Sequence, residues 1–328
     1  MIEGLPLGVA PLFILKQKKG CPVFTGALHL TYSNSFFSVI MKHFSFFTGA
    51  LLGALMFCAC HDSREYSESD SFTYTFNVYG VTQGSIDEIS TRATDPIYSL
   101  LVMDVVDGKC VQQIAREQLP SSEALSEVQL PLTSGKHQVY FLCSVKPWSS
   151  VNAEQLQVHW TEQDGALGDV WSAMVEVDVV GRKADAQQVQ LDRAVAYVRT
   201  TIDDALPAGL TQFRQVLNGG SWTFDLPTQS GGVAQQVVHD ASVPTSVIGK
   251  QGVSIGMYTF VPDGATQALS YTLTAFGSDQ EQMQTYTFEA VPLTVNQYTN
   301  YQGTYFDVKT HFGLTLQTDW ASPTVINF

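Results

Sequence analysis

Short segments that alternate apolar and polar residues, or run continuously apolar, follow one another from residue 72 almost to the end of this 328-residue chain. They are rich in valine, tyrosine, threonine and phenylalanine, and Gly, Asp or Pro turn residues break several of them. The clearest segments are 72–79, 98–106, 138–144, 174–180, 195–202, 256–261, 269–276, 285–290 and 304–316. A two-residue period in such a composition predicts β-strands. Many short strands separated by turn signals favour antiparallel β-sandwiches over a βαβ sheet.

Helix is expected to be scarce. The best candidate is 152–163, because Leu156, His159 and Trp160 fall on one helical face. The composition becomes polar at 181–188, between two apolar runs. We therefore place a domain boundary there, with an N-terminal sandwich over residues 93–185 and a C-terminal sandwich over 186–328.

An export signal is predicted to begin at Met41. A basic start precedes an apolar run over 44–57, and small residues then surround Cys60. This is the order of the n-region, h-region and cleavage site of a signal peptide. The apolar run is too short to span a bilayer as a stable helix. We expect a lipoprotein signal peptide over 41–59, preceded by a non-native upstream extension over 1–40.

The end of this signal predicts lipid attachment. Phe57-Cys58-Ala59-Cys60 resembles a lipobox, in which the cysteine after a small residue is diacylated and becomes the new N-terminus. Cys60 is the predicted lipidation site, since Ala59 precedes it and a polar, acidic stretch follows. An ordinary signal peptide with two incidental cysteines is the alternative. Residues 61–71 are polar and lack apolar periodicity, so they predict a flexible tether.

The net charge of the mature chain limits the kinds of molecule that it is expected to bind. Cleavage before Cys60 removes four basic residues and one acidic residue, which leaves 13 basic and 30 acidic residues and a net charge of −17. Such a protein repels phosphate backbones, so nucleic acid is not an expected partner. The mature chain keeps Cys110 and Cys143 besides the anchor. Each lies in an apolar, strand-like run, which favours two buried thiols over a disulfide.

The sequence carries no recognised catalytic or metal-binding signature. No two histidines stand at metal-ligand spacing among His29, His43, His61, His137, His159, His239 and His311. The pairs Asp203-Asp204 and Asp104 with Asp107 are better interpreted as turn markers at strand ends than as catalytic carboxylates. Two interpretations exist for the tryptophans: they could form a glycan-stacking platform on the surface, or they could be buried, which is the commoner fate of this residue. The five tryptophans are Trp148, Trp160, Trp171, Trp222 and Trp320. We expect no enzymatic activity, no cofactor and no metal.

The order of several segments resembles a known family. The strand 72–79 is followed by a polar loop that reaches Thr91-Arg92-Ala93-Thr94-Asp95, and then by the apolar strand 97–106. Further matching pieces are Leu130-Pro131-Leu132, Gly135-Lys136-His137 leading into 138–144, the Arg-Ala-Val-Ala strand in 191–198, Val291-Pro292-Leu293 in 291–296, and 301–306. Together they resemble the fimbrillin family, the lipoprotein precursors that build type V pili. The degenerate matches cover nearly the whole mature chain.

The resemblance implies a fold and a processing pathway. The implied fold is all-β, with two tandem transthyretin-like β-sandwich domains, and the implied role is that of a structural fimbrial subunit. In that family an arginine-specific, gingipain-type protease cuts between the first and second strands and removes the lipidated first strand. Arg92-Ala93 occupies that place here, so residues 60–92 are expected to be the tether and removable strand. The implied partners are other fimbrial subunits, the processing protease and, before cleavage, the outer membrane.

Loss of a strand would have a direct physical consequence. Unpaired backbone groups would lie beside an apolar groove until another strand filled it. A strand from the next subunit could do so in a head-to-tail contact that grows a fibre. Before cleavage the groove would be filled by four residues that share one strand face, Phe72, Tyr74, Phe76 and Val78. We expect the donor strand within residues 310–328.

Two other functions remain open from the sequence. An uncleaved surface lipoprotein could act as a pilus anchor or as a glycan-binding module held by Cys60. A secreted hydrolase would need two carboxylates that face each other across a concave pocket.

Overall fold

The computed structural model describes residues 70–81, 97–121, 125–161, 167–181, 185–263, 269–307, 311–318 and 324–325. Twenty-one strands lie in these residues, together with one turn of 3-10 helix at Thr245–Val247. The first ten strands are β1 Ser71–Tyr79, β2 Tyr98–Val106, β3 Lys109–Leu119, β4 Glu127–Thr133, β5 Gly135–Ser144, β6 Ser150–Asn152, β7 Gln157–His159, β8 Val170–Val179, β9 Gln187–Gln190 and β10 Asp192–Arg193. The remaining strands are β11 Val195–Ile202, β12 Leu210–Gly220, β13 Thr223–Asp225, β14 Ser230–Gly231, β15 Gln235–Ser242, β16 Val253–Phe260, β17 Ser270–Gly277, β18 Gln282–Glu289, β19 Gln297–Thr304, β20 His311–Thr318 and β21 Thr324–Val325.

The first sandwich packs a three-stranded sheet on a five-stranded sheet. The small sheet has the order β4-β1-β9, and the large one has the order β10-β8-β5-β2-β3. Alternation explains the packing, because every second residue of β4, namely Val128, Leu130 and Leu132, is buried while its neighbours are exposed. Their side chains meet those of β2, β5 and β8 in one apolar core.

The second sandwich has the same construction on a larger scale. Its sheets have the orders β16-β11-β19-β20-β21 and β15-β12-β17-β18. The core between them is aromatic, and Phe288 stacks on Tyr301 with a centroid distance of 4.0 Å. A buried polar network also joins the two sheets, since Gln215 Nε2 of β12 donates to the carbonyl oxygen of Gly256 on β16 at 3.1 Å, while its Oε1 accepts from the Tyr271 hydroxyl at 2.8 Å.

A third core joins the two sandwiches. It contains outward-facing residues of β2 and β5, such as Met103 and Leu142, together with Tyr197 and Phe260 of the second sandwich. A small sheet of order β14-β13-β7-β6 contributes to this core. One hairpin of that sheet comes from each half of the chain, so the pairing of β7 with β13 joins the halves through the backbone.

The prediction of an all-β chain built from β-sandwiches with little helix is confirmed. The described residues contain no α-helix, and none of their helical segments is long and apolar enough to cross a membrane. The domain boundary at 185/186 stays a prediction, and the segments 1–40, 41–59 and most of 60–92 lie outside the described residues.

The helix expected over 152–163 is wrong. This segment instead holds the turn and second strand of the β6–β7 hairpin. Asn152 Oδ1 accepts the backbone N–H groups of Glu154 and Gln155, and Leu156 has a positive φ of 55° that no α-helix allows. Burial of Leu156 and Trp160 in the third core produced the apparent helical spacing.

The strand predicted over 304–316 is also wrong in its extent. The structure has two antiparallel strands there, because β19 ends at Thr304 and β20 begins at His311. The residues between them include the turn at Phe306, whose N–H is accepted by Asp204.

Candidate functional site: β1 and its groove

Strand β1 lies in the middle of the small sheet of the first sandwich. It pairs antiparallel with β4 over seven residues and parallel with β9 over four. Both of its backbone edges therefore take part in ladder hydrogen bonds, and removal of β1 would leave β4 and β9 each with an unpaired edge.

The inward face of β1 fills the first core. The relative exposures of Tyr74, Phe76 and Val78 are 4 %, 0 % and 4 %, and Phe72 is half-buried at the margin of the same core. The Phe76 ring lies 5.3 Å from that of Phe141 on β5. The structure thus places these four sequence-predicted residues on one face, while their part in strand exchange stays a prediction.

Two positions, Tyr74 of β1 and Gly80 just after it, restrict which residue can occupy them. The Tyr74 hydroxyl donates to the carbonyl oxygen of Gly181 at 3.0 Å. Burial raises the pKa of this phenol above its ordinary value of 10 and the nearby Asp178 carboxylate raises it further. Just after β1, Gly80 has φ of 98°, and a Cβ there would lie 2.7 Å from the carbonyl oxygen of Leu191.

The predicted lipidation and processing residues lie outside the described residues. These are Cys60, Arg92 and Ala93. Their roles stay predictions. The described ends of the connection between β1 and β2 are Val81 and Ile97, so Arg92 belongs to the segment that joins the two strands.

The region expected to supply a donor strand begins with β20. This strand pairs with β19 over eight residues and with β21 over two. Phe312 and Leu314 are half-buried against the aromatic core of the second sandwich. Gly303 of β19 approaches the backbone of His311 so closely that a Cβ would collide with it. Within this chain, β20 is therefore an integral strand of the second sandwich.

A buried histidine–aspartate pair near the groove was missed by sequence reasoning. His137 Nδ1 lies 2.8 Å from Asp104 Oδ1, and its Nε2 donates to the carbonyl oxygen of Thr133 at 2.9 Å. These contacts link β5 to the end of β4, opposite Ser71 at the start of β1. Burial raises the pKa of Asp104, and His137 opposes that rise.

The interpretation of Asp104 and Asp107 as turn markers is therefore wrong for Asp104. It applies to Asp107, which has φ of 49° in the turn after β2, but not to Asp104, which is buried in the strand. The alternation along β2 could have shown that Asp104 is buried, because it places Asp104 on the same inward face as Leu100 and Val102. Asp204 fits the turn interpretation, since its carboxylate accepts backbone N–H groups after β19.

A buried ion pair lies where the chain passes between the sandwiches. Arg193 Nε donates to Asp169 Oδ1 at 2.8 Å, and its Nη1 donates to Asn296 Oδ1 at 3.4 Å. Arg193 also lies over the Trp171 ring. Asp169 and Asn296 thus hold this buried charge at the passage between the two sandwiches.

The two remaining cysteines are free thiols. Cys110 lies opposite Val105 and Cys143 opposite Leu100, so β2 separates them by about 16 Å, beyond the reach of a disulfide. Cys110 is only half-buried, whereas burial raises the pKa of Cys143 to about 12.

The structure also bears on the binding and hydrolase alternatives. Trp160 and Trp171 are buried, and Trp148 and Trp222 pack against the third core, so the described tryptophans form no surface platform. Among the described residues, no group of three His, Cys, Asp or Glu side chains could hold a metal ion.

A cavity of about 620 Å³ opens at one end of the large sheet of the first sandwich. Its carboxylates are Asp107, Glu176 and Asp178, with Lys136 among them, and all four residues are exposed. A glycosidase acid requires a desolvated carboxyl group with a raised pKa, so this exposed set does not favour hydrolysis.

Comparison with known proteins gives relatives in structure only. No protein-family model matches the sequence, and no curated protein matches it significantly. Among solved structures, a candidate cell adhesion protein from Bacteroides eggerthii has a TM-score of 0.49 and 11 % identity, and the match covers 77 % of this chain and 98 % of that one.

The solved structures similar to this chain also include fimbrial proteins. The fimbrial anchor protein Mfa2 from Porphyromonas gingivalis has a TM-score of 0.43 and 12 % identity, over 76 % of this chain and 97 % of that chain. The tip fimbrial protein Mfa3 from the same organism, with a C-terminal truncation, has a TM-score of 0.41 and 12 % identity, over 76 % of this chain and all of that one.

Proposed function

We propose that this chain is a structural subunit of a cell-surface fimbria that is exported as a lipoprotein through Cys60, cut after Arg92 and polymerised by strand exchange. The observation that carries the proposal is the position of β1. It is a central strand with three buried side chains, yet the chain continues to β2 only through the segment that contains Arg92. A single cut would therefore free a strand that the first sandwich needs.

The energetic logic supports exchange over simple loss. Burial of one large apolar side chain contributes roughly 1.5–3 kcal/mol, so a groove vacated by Tyr74, Phe76 and Val78 loses on the order of 5–9 kcal/mol. Unpaired backbone groups along β4 and β9 add to this cost. A strand that fills the same groove recovers both contributions, and a strand from a neighbouring subunit links two subunits at the same time.

Processing and assembly can be tested together. The chain is expressed from Met41 in a host that acylates lipoproteins, and the purified product is treated with an arginine-specific protease. We expect one cut that leaves Ala93 at the N-terminus, determined by mass spectrometry, followed by growth into polymers, measured by light scattering, once a fimbrial subunit with a matching donor strand is added. The matched control is Arg92→Lys, which keeps the charge and should resist the protease.

Two results would contradict the proposal. A wild-type chain whose Arg92 resists the protease and stays monomeric would identify an uncleaved anchor or binding lipoprotein. A chain that is cut after Arg92 but never assembles, even when mixed with C-terminal peptides of fimbrial subunits, would exclude strand exchange.

A further inference from the structure

We propose that the β1 groove accepts a strand from a chain of different sequence, with Tyr, Phe, a small branched residue and Gly at successive alternate positions, and rejects the C-terminal strand of this chain. The inference rests on the proposed function, because it identifies the partner of the same groove.

The neighbours of β1 fix the direction of an incoming strand. It must run antiparallel to β4 and parallel to β9, as β1 does. A reversed strand would have to form a parallel ladder with β4 and an antiparallel ladder with β9, which exchanges the hydrogen-bonding patterns that these two strands make with β1. Direction and register together assign one residue of the partner to each position of β1, because a slip by one residue turns every side chain to the opposite face.

The Tyr74 position selects a hydroxyl group. Its side chain is buried, and its hydroxyl satisfies the carbonyl oxygen of Gly181. A leucine or phenylalanine there would remove the donor to this partly buried carbonyl oxygen, and the loss of the hydrogen bond would weaken binding.

The Phe76 and Val78 positions select apolar side chains of unequal size. Phe76 is completely buried against Phe141, whereas Val78 fills a smaller space beside the buried Val189 of β9. A charged residue at either position would lie in the core without a partner, at a cost that excludes it.

The Gly80 position selects glycine for two independent reasons. Its φ of 98° is unfavourable for any residue with a Cβ, and the nearest atom to such a Cβ would be a backbone oxygen of Leu191, 2.7 Å away. Backbone cannot rotate aside as a flexible side chain can. The Leu191 N–H also donates to Tyr79 at 2.8 Å, which holds the two segments together at this point.

No register of the C-terminal segment of this chain meets all of these demands together. Residues 310–328 contain no tyrosine, and their single glycine is Gly313. Aligning Gly313 with Gly80 would place His311 and Lys309 at the positions of Val78 and Phe76. Aligning Phe312 with Phe72 instead would place Leu314 at the position of Tyr74 and Trp320 at that of Gly80.

The same segment is already used within the chain. Strand β20 pairs with β19 over eight residues and packs Phe312 and Leu314 on the second core. Its transfer to another molecule would expose that core, which adds a cost that a segment outside the fold does not have. Both observations argue against residues 310–328 as the donor, which supports a strand of another protein as the partner of this groove.

A peptide-exchange experiment on the full chain tests the inference. A recognition sequence for a site-specific protease is inserted after Arg92, the chain is cut, and fluorescent peptides compete with the bound β1 fragment while polarisation is recorded. The probes are the sequence of residues 71–80, its Tyr74→Phe and Gly80→Ala variants, and the sequence of residues 311–320. Thr73→Ala, which changes an exposed residue on the opposite face, is the matched control.

We expect the 71–80 peptide and its Thr73→Ala control to enter with equal affinity. The Tyr74→Phe peptide should bind about fivefold more weakly, and the Gly80→Ala and 311–320 peptides at least about tenfold more weakly. Equal affinity of the 311–320 and 71–80 peptides would overturn the selectivity while leaving strand exchange intact. Failure of every peptide, including the native β1 sequence, would overturn strand exchange and this inference together.

Discussion

Strands β1 and β20 both alternate apolar and polar residues, yet their sandwiches hold them in different ways. β1 is central in its sheet, and its inward side chains are almost completely buried. β20 has a full ladder on one side only, and its inward residues Phe312 and Leu314 are half-buried. A central strand leaves only when its covalent connection is cut, whereas a strand near an edge is released by the loss of fewer contacts. The two strands thus differ in how they can be exchanged, although their sequence patterns are alike.

The largest predicted effect lies at the centre of β1. Phe76→Ala in the uncut chain should lower the free energy of unfolding by about 3–5 kcal/mol, because it leaves a cavity against Phe141. Denaturant unfolding followed by fluorescence measures the change in midpoint. Thr73→Ala, on the exposed face of the same strand, should stay within about 0.5 kcal/mol. Equal effects of the two substitutions would show that β1 is not a core strand.

The next effect lies at the β19–β20 pair. Gly303→Ala should push β20 away, because the added Cβ meets the backbone of His311, and we expect a loss of about 2–3 kcal/mol. Limited proteolysis should then cut within 311–318 faster than in the wild type. The control is Gly313→Ala, where the nearest atom to an added Cβ is the Gln302 oxygen at an ordinary 3.8 Å. An unchanged rate of proteolysis in Gly303→Ala would contradict the conclusion that β20 is released from its sheet more easily than β1.

Sequence patterns predicted some elements well and others poorly, for a common physical reason. Strand β2 matches the predicted 98–106 because both of its faces are buried and the run is continuously apolar. Strand β3 was not predicted from the sequence, because it is an edge strand with a polar sequence. Its pairing with β2 decides its conformation. The hairpin of β6 and β7 resembled a helix because Leu156 and Trp160 belong to a core shared with the second sandwich.

The candidate site shows the same limit. Alternation over 72–78 assigns Tyr74, Phe76 and Val78 to one face, and the structure has them there. It gives no information on the strands beside β1, which come from residues 127–133 and 187–190, far along the chain. The acceptor at Gly181 for the Tyr74 hydroxyl is more than 100 residues away, so only the fold reveals it.

A smaller effect is expected from the hydroxyl of β1. Tyr74→Phe in the uncut chain should lose about 1 kcal/mol, since the Gly181 carbonyl oxygen loses its donor. Equilibrium unfolding measures this, and Tyr79→Phe at the half-exposed end of β1 is the control with no expected change. A neutral Tyr74→Phe would show that solvent replaces the hydroxyl, and the groove would then tolerate any aromatic residue at this position.

The smallest effect at neutral pH is expected at Tyr301 of β19, and this effect grows as the pH becomes alkaline. Tyr301 lies opposite Leu314 of β20, and burial raises the pKa of its phenol above the ordinary value of 10. The folded chain keeps this phenol protonated while the unfolded chain ionises it, so the stability that it contributes is fully present below pH 10 and is lost as pH rises further. Tyr301→Phe should therefore match the wild type within about 0.5 kcal/mol at pH 7 and exceed it by up to about 1.4 kcal/mol for each pH unit above 10. Unfolding midpoints at a series of pH values measure the difference. Parallel losses in the two proteins would show that water reaches Tyr301 in the native state, and that β20 opens more readily than its eight-residue ladder indicates.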